Sequence, residues 1–199
     1  MIELMRKCWK VRQLSTILKT GGVQDVLKFW FEQTRPDQWL EKDPTFDATI
    51  RDRFLGLHEA VVFRDNNSLL ADAQTALAAV IMLDQMSRNM FRGTPRAFAS
   101  DEQALWLADA AIARGFDAGL SKDQRMFLYL PFEHAEDRRS QARCVELMAS
   151  LGDPEVQKWA EAHRVIVDRF GRFPHRNAVL ERVSTPEEIE FLKQPNSCF

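Results

Sequence analysis

The chain has 199 residues, 45% of them apolar and 28% charged, with a formal net charge of −2. That length suits one domain able to bury a core without metal or disulfide support, and the composition excludes collagen-like, low-complexity and globally disordered chains. The longest uncharged stretch, Ala73 to Leu83, has 11 residues, about half of what a membrane span needs. Cys8, Cys144 and Cys198 lie too far apart in the sequence for a disulfide framework or a zinc pattern. A reduced, soluble, cytoplasmic protein is expected.

Charge is spread unevenly. Residues 1–20 carry a net +4 and the remainder −6. Leu4, Val11, Leu14 and Leu18 make the opening segment weakly amphipathic, either a targeting or surface-binding helix or a loosely packed appendage. No apolar stretch with a cleavage site follows, so secretion is not expected. The acidic body lacks the basic face that nucleic-acid binding requires. Residues 1–20 are therefore read as a basic extension and 23–199 as one helical domain.

Along that domain the apolar spacing is helical nearly throughout. Val26, Leu27, Trp30 and Phe31 share one side of a helix over 23–33, and Pro36 and Pro44 punctuate the chain beyond it. Phe46, Ile50, Phe54, Leu57 and Val61 predict a long amphipathic helix ending near Asn66. A second long helix is expected from about Leu69 to Met90, with an unusually apolar middle around Leu77. Ser100 with Gln103, Ser121 with Gln124, and Thr185 with Glu188 match capping boxes. Asp153-Pro154 starts another helix, and Gly152 and Gly171 suit helix ends. No segment alternates with a period of two. The fold class is all-α, with short connections that make neighbouring helices antiparallel, and the pattern fits either stacked helix pairs or a closed bundle.

Three segments put polar residues on apolar stripes. In the first, the stripe Leu77, Ile81, Asp84, Arg88, Phe91 turns charged partway along a helix. A buried charge needs a partner or a ligand, although Asp84 and Arg88 stand at i, i+4 and are able to pair with each other. The second runs Tyr129 to Asp137, where Pro131 removes an amide and is expected to kink the helix, aiming Glu133 and His134 inwards. In the third, His163 lies on an apolar helix face, the usual setting of a core histidine. Beyond it, Arg169, Arg172, His175, Arg176 and Arg182 interleave with Phe170, Phe173, Pro174 and Asn177. Guanidinium groups held rigid in this way offer forked donors to a carboxylate or phosphate, or brace acidic helices. Cys144, among apolar neighbours, reads as a core thiol. No metal site and no cofactor motif is expected.

The blocks Val26 to Phe31, Asp84 to Thr94, Leu128 to Asp137 and Arg169 to Asn177, with the ending Pro195 to Phe199, resemble the uncharacterised bacterial family called domain of unknown function 924. The resemblance covers about residues 23–199. It implies a tetratricopeptide-like fold of stacked antiparallel helix pairs and no established activity. Asp84, Gln85, Arg88, Asn89, Arg92 and Gly93 match one family block, with Met86 and Ser87 standing where the family has Phe-Pro. Tyr129, Pro131, Glu133, His134 and Glu136 match a second, and Arg172 to Asn177 a third.

The expected function is binding of a small anionic ligand, or a partner's acidic segment, in a concave cationic pocket. Arg88, Arg92, Arg172 and Arg176 would clamp the anion. Asp84, Asn89, Tyr129, His134, His163, His175 and Asn177 would line or orient it. An enzyme alternative uses His134 or His175 as acid or base, oriented by Glu133 or Glu136. A third alternative is a peptide-binding scaffold in which these residues are internal braces.

Overall fold

The computed structural model describes residues 22–39, 41–195 and 197. The basic segment 1–20, Cys198 and the chain's last residue lie outside the described residues. No strand occurs among those described, so the all-α class holds for them.

Helix α1 (Gly22–Lys28) passes into one π-helical turn, Phe29–Gln33, and buries Trp30 completely. The indole Nε1 of Trp39 donates to the Trp30 carbonyl at 2.9 Å and ties down the following 3₁₀ turn, Pro36–Trp39. Helix α2 (Pro44–Val62) starts on Asp43, whose carboxylate accepts from the Thr45 amide, with Pro44 in the first turn. It ends four residues before Asn66, and His58 rather than Leu57 takes the fully buried place on its inner face. Asn66 instead opens a short helix of its own, Asn66–Leu69, capped by Asp65.

Asp72 caps helix α3 (Ala73–Ile81), so the long helix expected from Leu69 begins four residues later. Every residue from Ala76 to Ile81 is buried. A helix apolar on all sides needs neighbours on all sides, and α3 packs against α1 and against two later helices, α4 (Asp101–Ala113) and α5 (Lys122–His134). Beyond Ile81 the helix widens into a π-helical turn, Met82–Met86, and finishes in Ser87–Met90.

Consecutive helices then pack one on the next: α4 on α5, α5 on α6 (Arg138–Ala149), and α6 on α7 (Pro154–Phe170). The capping boxes at Ser121 and at Thr185, which opens α8 (Pro186–Phe191), both form. Such caps contribute about 1 kcal/mol each. Gly171 adopts φ 71° just past α7, the left-handed conformation that ends a helix and that glycine takes without strain. The box expected at Ser100 does not form. Its backbone lies at φ −105°, ψ 4°, and Gln103 donates instead to Asn66 on another helix at 2.8 Å.

Most buried apolar side chains form one core spanning α1 to α7. A second, smaller cluster joins Ile166, Val167 and Phe173 to Phe170 and Phe191.

Candidate functional site: a buried layer of arginine, histidine and carboxylate

The π-helical turn of α3 holds Asp84 with no exposed surface. Its carboxylate accepts from Gln85 Nε2 at 2.7 Å, pairs with Arg88 at 3.0 Å, and accepts from His134 Nδ1 at 2.7 and 3.0 Å. Burial alone would push the carboxyl up. The charge of Arg88 and the hydrogen bonds from His134 and Gln85 outweigh that and hold it well below the usual range. Arg88 also reaches helix α4, where it meets Asp101 with both terminal nitrogens at 2.9 Å. This forked pair joins two helices.

His134 closes α5, and Gln141 of α6 fixes that end by donating to the carbonyls of Glu133 (2.6 Å) and Ala135 (2.8 Å). The carboxylate on His134 is Asp84, not Glu133 or Glu136. Burial and the charge of Arg88 lower the imidazole's proton affinity, so His134 is neutral at neutral pH, with Nδ1–H on Asp84 and the lone pair on Nε2.

Glu133 turns the other way. Its Oε1 lies 3.4 Å from His163 Nδ1, and its Oε2 accepts weakly from the Cys144 thiol at 3.9 Å. Burial, then the nearby Asp84 charge, pushes Glu133 up to about 8, while burial carries His163 down to about 3. His163 donates from Nδ1 to the Trp159 carbonyl at 2.8 Å and sets its ring edge-on to Phe173, centroids 5.6 Å apart. The rings of His134 and His163 are 6.4 Å apart. Cys144 is a buried core thiol, as its neighbours in sequence predict.

The 3₁₀ turn Pro174–Arg176 brings Arg176 into the same layer. Only 6% of this residue is exposed. Its guanidinium carbon lies 4.5 Å from the Phe173 ring centre and 4.8 Å from that of Phe98. The ion pair it makes is to Asp101, at 3.5 Å, on a carboxylate that Arg88 already holds at both oxygens. Its buried Nε has no hydrogen-bond partner. Burial, followed by repulsion from Arg88, lowers Arg176 to about 10. His175 lies next to Phe173, ring centres 5.6 Å apart, and burial with Arg176 brings it to about 4.

Asp84, Arg88, Glu133, His134, His163, His175 and Arg176 thus share one layer between the two apolar clusters. Other expected residues go elsewhere. Arg92 and Asn89 both bind Asp47 on α2, at 2.6 and 2.8 Å. Tyr129 donates to Asp117 at 2.8 Å, and burial and that carboxylate push its phenol up to about 12. Arg172 and Asn177 belong to a clasp on Glu188, which accepts from Arg172 at 2.7 and 2.8 Å and from Asn177 at 3.2 Å. Glu136 completes that clasp by taking Arg182 at 2.5 Å and the Phe173 amide at 2.8 Å.

Asp101, Phe98 and Gln85 were not expected in the layer. Asp101 reads in sequence as an ordinary acid in a helix's first turn, and Phe98 as a loop aromatic; only the tertiary contact reveals either. A cavity of about 10 Å³ beside α1, lined by apolar groups including Val26, Val61 and Met82, shares no residue with the layer. Among the described residues no cluster of histidine, cysteine and carboxylate groups is suited to a metal. No described helix is long and apolar enough to cross a membrane.

No curated protein matches the chain. The solved structure of a protein of unknown function from Agrobacterium tumefaciens is similar to it, with 46% identity and a TM-score of 0.81, over 86% of this chain and 96% of that one. The model of the family described as bacterial protein of unknown function, DUF924, matches residues 26–196. With the match covering nearly the whole helical body, the chain belongs to the DUF924 family.

Proposed function

We propose that the protein binds a small anionic ligand at Arg176, with Arg88, His134, His163 and His175 around it. One observation carries this reading: a guanidinium almost wholly buried against two phenyl rings, with an unpartnered Nε and one long ion pair to an already engaged carboxylate. A buried cation so weakly matched is destabilising by itself and gains most from an added anion. The partly exposed side chains of Arg88, His134 and Asp101 mark where solvent meets the layer. Arg92, Arg172, Asn89, Asn177 and Tyr129 belong with the structural braces, because each has a close partner outside the layer.

The stacking of α4 to α7, each on the next across short connections, supports the tetratricopeptide-like arrangement that the family resemblance implies. A catalytic reading rests on the Asp84–His134 pair, which has the form of a carboxylate orienting a general base.

Thermal denaturation with acetate, benzoate or inorganic phosphate tests the anion site. A ligand at about 100 times its Kd adds roughly 2.7 kcal/mol, which raises the Tm of a chain this size by several degrees. At least one of the three is expected to stabilise the wild type and to leave a folded Arg176→Gln variant unmoved. Equal shifts in both proteins, or none in the wild type, would overturn the reading.

A further inference from the structure

The anion site has a proton acceptor built beside it, and the surrounding charges indicate how the two act together. Two buried cations, Arg88 and Arg176, face two carboxylates, Asp84 and Asp101. With the imidazoles neutral and Glu133 protonated, this layer carries no net charge at neutral pH. A single negative charge entering it leaves one uncompensated buried unit, which the low-dielectric setting penalises strongly. One proton taken up with the ligand restores neutrality.

His134 is the group built to hold that proton. Its Nδ1–H already points at Asp84, so protonating Nε2 creates an imidazolium facing a carboxylate that Gln85 and Arg88 fix in place. The other imidazoles are less suited. His163 donates to a backbone carbonyl and lies 3.4 Å from a carboxyl that is itself protonated. His175 faces the Arg176 charge. The charged and titratable groups around His134 are Asp84 and Arg88 from α3, His175 and Arg176 from the 3₁₀ turn, His163 from α7 and its own neighbour Glu133. Arg88 and Arg176 now oppose its protonation, and an anion on Arg176 removes part of that opposition.

We infer that the site takes a small monocarboxylate together with one proton, which His134 Nε2 keeps while the ligand stays. A carboxylate fits better than a phosphate on two grounds. The phenyl rings of Phe98 and Phe173 pack on the guanidinium at 4.8 and 4.5 Å, and the unpartnered Nε lies on its edge, where a planar carboxylate matches the fork. Of the phosphate forms present near neutral pH, the dianion would also leave the layer negative after one proton, so only the monoanion competes with a carboxylate on charge.

The inference rests on the anion site proposed above, and calorimetry separates the two. Acetate, benzoate and inorganic phosphate are titrated near neutral pH in buffers of different ionisation enthalpy. Uptake of about one proton per carboxylate is expected, with affinity falling as much as about tenfold per pH unit towards alkaline pH. His134→Gln is expected to bind without proton uptake. In the wild type, the His134 ring resonances should move to imidazolium positions on saturation with benzoate, a readout independent of any variant's folding. Carboxylate binding without uptake, or uptake retained in His134→Gln, overturns the inference and leaves the anion site standing. Binding of phosphate alone overturns the monocarboxylate assignment. Failure of all three probes at millimolar concentration overturns the anion site itself, and the inference with it.

Discussion

Replacing Asp84 by alanine is expected to lower stability by about 3–5 kcal/mol, the cost of breaking a buried ion pair from one side. The carboxylate is fully enclosed and is shared by Arg88, His134 and Gln85, so its loss strands three polar groups at once. The bidentate contact to Asp101 keeps Arg88 partly matched, which places the effect inside this range rather than above it. Because the folded state holds the Asp84 carboxyl below its unfolded value, its contribution is complete above about pH 4 and is lost as the pH falls through the folded value. Urea unfolding as a function of pH checks both points. Asp84→Ala should lose its deficit relative to the wild type at strongly acidic pH. A deficit within about 1 kcal/mol at neutral pH, the range of an exposed ion pair, would contradict the account.

Glu133 has the opposite sign. Its folded carboxyl is pushed up to about 8 by burial and by Asp84, so the native state keeps a proton that the unfolded chain releases near pH 4. Between those values the folded state binds more protons, and stability falls as the pH rises. The contribution is fully present below about pH 4 and is lost as the pH climbs through the folded value. Glu133→Gln keeps the shape and stays neutral. The variant is therefore expected to gain on the wild type by several kcal/mol between about pH 5 and pH 8 in urea unfolding. A gap between the two proteins that stays constant over that range would show that Glu133 is ionised in the folded state.

Much of this fold is legible in the sequence because its boundaries use local chemistry. Ser121, Asp153 and Thr185 cap their helices through contacts within a few residues, whereas the Asp72 cap, inside a stretch read as continuous helix, moves the start of α3 four residues along. Ser100 shows the limit of that logic, since Gln103 finds a better partner on another helix and the expected box is left open. The π-helical turn at Met82–Met86 is invisible to a 3.6-residue period, yet it holds Asp84 and Gln85 side by side in the core. Of the site, Asp84 and Arg88 are readable as charges on an apolar stripe, and Arg176 as part of an arginine-aromatic cluster. Asp101, the shared partner of Arg88 and Arg176, is not readable, because it lies 75 residues from Arg176 and looks like a helix-start acid. The same blindness to distant contacts grouped Arg92, Tyr129 and Arg172 with the site, although Asp47, Asp117 and Glu188 hold them elsewhere.

The most direct measurement of the central claim is a crystal structure of the protein soaked in benzoate. The carboxylate is expected on the edge of the Arg176 guanidinium, within hydrogen-bonding distance of Nε. Ordered benzoate absent from that edge, with Arg176 still held by Asp101 alone, would show that the buried layer is a brace and not a binding site.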